Sequence, residues 1–126
     1  MQLHLKFALL VTAGLFVTGC GQQNCRLTAL SVSPTSATLD HLAAAPGNQG
    51  QFFAAAVVSG SCAIPACVNC SGQTWMVSDP INVSISNNGT ATCVGATSGA
   101  VTVTATAPVA AGSAHVVSGT ATLICR

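Results

Sequence analysis

Charge is what this chain has least of. Charged residues are 4% of its 126 residues, three Lys or Arg against two acidic residues, both Asp. Phosphate recognition rests on clustered Lys and Arg, so nucleic acid is not an expected partner. Tyrosine is absent and there is one tryptophan, Trp75, too little for an aromatic sugar platform. No long 3.6-residue apolar period runs through the chain. Its one helix-like stretch, Leu42 to Ala45, stops at Pro46-Gly47. Catalytic groups are as scarce. Asp40 and His41 are adjacent, whereas a nucleophilic triad needs separately positioned groups, and no nucleophile elbow is present. Asp40 and Asp79 are formally a glycosidase pair, but Asp79 lies in a Ser-Asp-Pro turn, where a carboxylate bonds nearby backbone amides. His41 and His115 read as loop residues. No enzyme and no cofactor are expected.

Long apolar runs are also few, and the one that exists is at the start. MQLHLKFALLVTAGLFVTGC carries His4 and Lys6, then an apolar run from Phe7 to Val17, then small residues before Cys20. A basic n-region, an apolar h-region and a small-residue cleavage site make a secretory signal. The run is shorter than the roughly 20 residues a spanning helix needs. Val17-Thr18-Gly19-Cys20 resembles a lipobox, which implies cleavage after residue 19 and lipidation of Cys20. A membrane attachment through buried acyl chains is expected, and Gly21 in place of Asp implies the outer membrane. The expected organisation is a signal peptide over 1–19, a lipidated tether over 20–26 and one domain over 27–126. After removal of the signal, Arg26, Arg126, Asp40 and Asp79 are the charged side chains, and their sum is zero.

What fills the remainder is Thr, Val, Ser and Ala in alternation, broken every eight to twelve residues by turn residues. In Ala100 to Ala107, Val101, Val103 and Ala105 share one face and Thr102, Thr104 and Thr106 the other. Val117, Gly119, Ala121, Leu123 and Cys125 alternate likewise with Ser118, Thr120 and Thr122. Phe53, Ala55 and Val57 form a third inward set, although Phe52 and Val58 make that strand apolar on both faces. Shorter strands are expected over Leu27 to Val32, Gln73 to Val77, Asn82 to Ser86 and Thr90 to Gly95. Asn88-Gly89 is a tight-turn signal between the last two. The candidate core comprises Phe53, Trp75, Val101 and Val103. The fold class is all-β, an antiparallel sandwich of about seven strands.

The order of these motifs is similar to that of the bacterial Ig-like domain family, group 2. Ser33-Pro34 closes the opening strand, and Gly50-Gln51-Phe52-Phe53 opens the next. Trp75 precedes Ser78-Asp79-Pro80; Asn88-Gly89 forms a turn, and Gly99 stands before the penultimate strand. The resemblance covers nearly all of the chain after the signal and implies an Ig-like sandwich. It departs from the family in its cysteines and in the insertion Ser61 to Ser71.

Seven cysteines become six once Cys20 is assigned to lipid: Cys25, Cys62, Cys67, Cys70, Cys93 and Cys125. In an exported chain six cysteines imply three disulfides, with 15 connectivities open. Cys93 and Cys125 have the inward parity of strands in opposite sheets, which favours that pair. Cys25 begins the first strand and Cys62 ends the second, leaving Cys67 and Cys70 for each other. The spacing Cys62-x4-Cys67-x2-Cys70 also imitates a plant-type iron–sulfur pattern, and Cys67-x2-Cys70 half a zinc site. Export without a twin-arginine signal argues for disulfides and against a metal. Asn69, Asn82 and Asn88 head glycosylation sequons that a bacterial lipoprotein would not use. The expected function is a non-enzymatic cell-envelope adhesion or structural module with a protein or glycan ligand. The alternative is a periplasm-facing accessory or carbohydrate-binding subunit.

Overall fold

The computed structural model describes residues 26–59, 73–109 and 113–126. Among these, nine strands occur and no helix: β1 (Arg26–Ser33), β2 (Ser36–Leu39), β3 (Gln49–Gln51), β4 (Phe53–Ser59), β5 (Thr74–Val77), β6 (Val83–Ile85), β7 (Thr90–Cys93), β8 (Val101–Pro108) and β9 (Val116–Cys125). Alternating β-branched and small residues suit a pleated surface with one buried face.

One layer is the sheet β2-β9-β8-β5. The other is formed by β1-β4 together with β3-β7-β6. Residues Gln49 to Ser59 keep one alternation throughout, so β3 and β4 are one strand interrupted at Phe52. β1 and β2 are likewise one strand that changes layer. β1 pairs antiparallel with β4 up to Ser33↔Phe53, and β2 then pairs parallel with β9 from Ser36↔Thr122. Pro34 has no N–H to give a ladder, so the crossing falls where pairing must lapse anyway. Counted this way the strands number seven, four in each layer with the first strand shared. This is the arrangement of an Ig-like sandwich. All pairings are antiparallel except that of β2 with β9.

The core lies between the layers. β8 contributes Val101, Val103, Ala105 and Ala107, and β9 contributes Ala121, Leu123 and Cys125. Leu27, Leu30, Val32, Phe52, Val83, Ala91 and Cys93 face them. Four of these residues are alanine, which draws the layers close and leaves bulk to a few large side chains. Phe52 is the largest fully buried one, at 1% exposure. Gly119 marks a close approach of the layers: a Cβ there would collide with the backbone oxygen of Leu30.

Cys93 and Cys125 form a disulfide with a Cα–Cα distance of 5.7 Å. It ties β7 in one layer to β9 in the other, and both cysteines are buried. Backbone bonds brace the same end. Cys93 N donates to Asn48 O at 2.9 Å, and Thr97 N donates to Cys125 O at 3.0 Å.

The inward set of β4 is the reverse of the expectation. Phe53 is 64% exposed and Val57 47%, while Phe52, Ala54, Ala56 and Val58 turn inward. Phe53 is therefore not a core residue. The segment is apolar on both faces, so its own periodicity could not choose between them. The choice is made one turn of the alternation earlier, where Gln49 and Gln51 share parity with Phe53. Gln51 must face outward to accept from Thr90 Oγ1 at 2.8 Å and donate to Asn88 O at 2.7 Å. That carries Phe53 outward with it.

Candidate functional site

Two edge strands meet on one side of the sandwich. β5 ends the four-stranded sheet and β6 ends β3-β7-β6. The backbone of β5 can be followed bond by bond. Ser78 N donates to Thr102 O at 3.0 Å, and β5 continues through Val77↔Val103, Met76↔Thr104, Trp75↔Ala105 and Thr74↔Thr106. Antiparallel ladders alternate hydrogen-bonded and non-hydrogen-bonded pairs. Met76 and Thr74 therefore point their backbone groups at β8, and Trp75 and Val77 point theirs away from it. On β6, Val94 N donates to Asn82 O at 2.9 Å and Ser86 N to Thr90 O at 3.0 Å. By the same rule Val83 and Ile85 face away from β7. Val83 N is taken by Asp79 O at 3.1 Å.

Between these edges lies a shallow groove of about 390 Å³, walled by Trp75, Val77, Pro80, Val83 and Ile85 with Met76 at its lip. Met76 is 64% exposed, and Ile81, in the turn that joins the two edges, is 84% exposed. Trp75 is half-buried and packs on the core without being enclosed by it. An edge strand has a neighbour on one flank, so an inward side chain there keeps part of its surface open. Val101 and Val103, on strand β8 beside β5 or at its level, lie fully in the core.

A second depression, of about 230 Å³, begins on the other side of the indole and is bounded by Phe53, Gln73, Asn87 and Asn88. Its floor is the β6–β7 hairpin. Gly89 adopts φ +84°, and a Cβ there would strike Phe52 O and lie 3.0 Å from Trp75 Cζ2. Glycine is required by both the dihedral and the contact. Gly89 N donates to Ser86 O at 3.0 Å, and Phe52 N donates to Gly89 O at 2.9 Å. Asn88 Oδ1 accepts from Thr90 N at 3.2 Å, from Thr90 Oγ1 at 2.9 Å and from Ser86 Oγ. The hairpin tip, Gln51 and Trp75 thus form one braced unit.

Asp79 caps the turn between the edges, as its Ser-Asp-Pro setting implies. Its Oδ1 accepts from Ile81 N and Asn82 N, both at 3.2 Å, and its Oδ2 from Asn82 Nδ2 at 2.8 Å. The Asn82 side-chain amide, followed by the Asn82 backbone N–H, holds the Asp79 carboxyl below the usual carboxylate range.

Asp40 and His41 do not form a relay. Asp40 Oδ1 accepts from Leu42 N at 2.9 Å in its own turn, while His41 Nδ1 and N both contact Arg126 O. His115 lies in the loop just before β9, where its N donates to Ser113 Oγ at 3.1 Å. Among the described residues no three His, Cys, Asp or Glu side chains gather, and no helix is long and apolar enough to cross a membrane. Cys20, Cys25, Cys62, Cys67 and Cys70, with the signal and the insertion, lie outside the described residues.

Reasoning from sequence found Trp75 and Asn88-Gly89 but not the groove residues Met76, Val77 and Ile85. The available signal was Met76 beside Trp75, which makes Thr74 to Val77 apolar on both faces, as in β4. No family model matches the chain, and no curated protein matches it.

Proposed function

We propose that this chain is a non-enzymatic cell-envelope lipoprotein whose Ig-like domain is an adhesion or structural interaction module. The observation that carries this reading is the open side of the sandwich. Of the seven large apolar side chains exposed among the described residues, Met76 and Ile81 stand with part of Trp75 beside one groove. Exposed apolar surface grouped at one place, rather than scattered singly, is the mark of an interaction site. A plain spacer would gain nothing from it, and an enzyme would need converging polar groups in a deeper cleft. The export signal and lipobox-like Cys20 supply the location: the cell envelope, at the outer membrane, held by acyl chains.

One observation favours the carbohydrate-binding alternative. Gln73, Asn87 and Asn88 line one depression with the Trp75 indole, a grouping of aromatic and amide residues that suits a single sugar unit. Its small size makes it second to the groove.

The anchoring half is tested by fractionation. Wild-type protein is expected in membranes with an acylated Cys20 at its N-terminus, and Cys20→Ala is expected to be uncleaved or soluble. Wild-type protein in the soluble fraction with a free N-terminus elsewhere overturns the reading.

A further inference from the structure

We infer that the free edge of β5 is an acceptor for an extended peptide strand of a partner protein, built of apolar and hydroxyl side chains, which adds to the sheet antiparallel to β5 with a basic residue beside Asp79. The inference rests on the interaction-module reading and names the chemistry of its partner.

Trp75 and Val77 turn their N–H and C=O groups away from β8, and among the described residues nothing accepts or donates to them on that side. Unpaired edges are templates for another strand, and proteins commonly blunt them with lysine, proline or a bulge. Thr74 to Val77 contains none of these, and its pairing with β8 is unbroken. Pro80 comes only after the strand has ended. The facing edge is a weaker acceptor: β6 has three residues, and Val83 N is already occupied by Asp79 O.

The side chains of an added strand alternate between two surfaces. One set would enter the groove against Trp75, Val77 and Ile85, and must be apolar or small. The other set would lie beside Thr74 and Met76 on the outer face and need carry no charge. Recognition of this kind takes affinity from main-chain bonds and selectivity from alternate pockets.

Charge places the basic residue. Asp40 and Arg126 lie at the β2 edge, where Arg126 N donates to Leu39 O at 2.9 Å, the opposite margin of the same sheet. Asp79, two residues past Val77, is a charged side chain at the acceptor edge, and its bonds to Asn82 keep it ionised. It follows the C-terminal end of β5, so an antiparallel strand brings its N-terminal residues there. A lysine or arginine at that point complements the carboxylate, and an acidic residue is repelled. A second copy of this chain offers no such cation in Gln73-Thr74-Trp75-Met76-Val77-Ser78, which argues for a different partner.

The probe is a synthetic peptide of alternating threonine and valine with an N-terminal lysine, studied by amide hydrogen exchange and titration. In the free protein the Trp75 and Val77 amides are expected to exchange fast and the Met76 amide slowly. Peptide addition is expected to slow Trp75 and Val77 at least tenfold. Val77→Pro removes an edge donor that β8 does not use, so it is expected to keep the fold and lose at least tenfold in peptide affinity. Met76→Pro, which breaks the β8 ladder, is the unfolding control. A peptide starting with glutamate is expected to bind more weakly. Protection of Trp75 and Val77 in the free monomer, or equal binding by Val77→Pro, overturns the inference. So does a dimer of the wild type that Val77→Pro abolishes, which would make a second copy the occupant. Membrane fractionation through Cys20 is measured separately. Failed peptide binding therefore removes the acceptor edge alone, whereas a soluble unacylated protein removes the reading beneath it.

Discussion

Replacing Cys93 and Cys125 together by alanine should be among the most damaging changes available to this domain. The bond joins residues 32 apart in sequence. In the chain-entropy account, opening a loop of that length returns roughly 3.7 kcal/mol of freedom to the unfolded chain. Unfolding entropy of about 2.1 cal/mol/K per residue gives a domain of this size roughly 0.2 kcal/mol per degree, so Tm should fall by about 15–20 °C. The truncated side chains leave small voids at two buried positions, which can only enlarge the loss. Calorimetry on the oxidised wild type and the double variant measures this directly. The wild type also supplies its own control, because both sulfur-bearing residues are shut off from solvent. Dithiothreitol in native buffer should leave its Tm unchanged over hours, and should lower it only after exposure to denaturant. A drop below about 5 °C in the double variant would refute the reasoning, since the staple would then be constraining a loop already ordered when unfolded.

The correction to β4 yields a paired test. Phe52→Ala should cost roughly 3–5 kcal/mol, whereas Phe53→Ser should change stability by no more than about 0.5 kcal/mol; the opposite order in a denaturant titration would restore Phe53 to the core. Asp79 is held below the ordinary carboxylate value in the folded protein, so the unfolded state binds its proton first as pH falls. The stability that Asp79 adds is present above the unfolded value and is lost as pH drops through the folded one. Wild type should therefore destabilise more steeply than Asp79→Asn below about pH 4, and parallel acid-unfolding curves for the two would show that the turn does not depend on the charge.

Legibility followed how many faces of a strand are apolar. In β8 and β9, threonine on one face and valine, alanine or leucine on the other leave a single way to place the strand. The parity of Cys125 and its pairing with Cys93 could then be read from the alternation. β4 and β5 lack that contrast, and there the side chains alone could not say which face is inside. For β4 the answer lay in the flanking glutamines, which a window confined to the strand excludes. β2 was missed for another reason. Its partner is β9, more than eighty residues away, and its four residues Ser-Ala-Thr-Leu carry little pattern of their own. The acceptor edge was beyond sequence altogether, because whether a strand is central or peripheral belongs to the topology.

The parallel pairing of β2 with β9 also determines how the domain bears a pulling force. Tension applied between the start of β1 and the end of β9 draws two parallel neighbours in opposite directions along their length. The pairs Ser36↔Thr122 through Leu39↔Cys125 are then loaded simultaneously in shear rather than one at a time as in a zip. Beyond them, tension entering at Arg126 meets Cys125 and passes through the covalent bond into Cys93, bypassing β8 and most of β9. The 32-residue span between the two cysteines cannot be paid out, which withholds roughly 110 Å of contour length at about 3.4 Å per residue. Under load this domain should lengthen less than its residue count suggests, behaving as a short, stiff link.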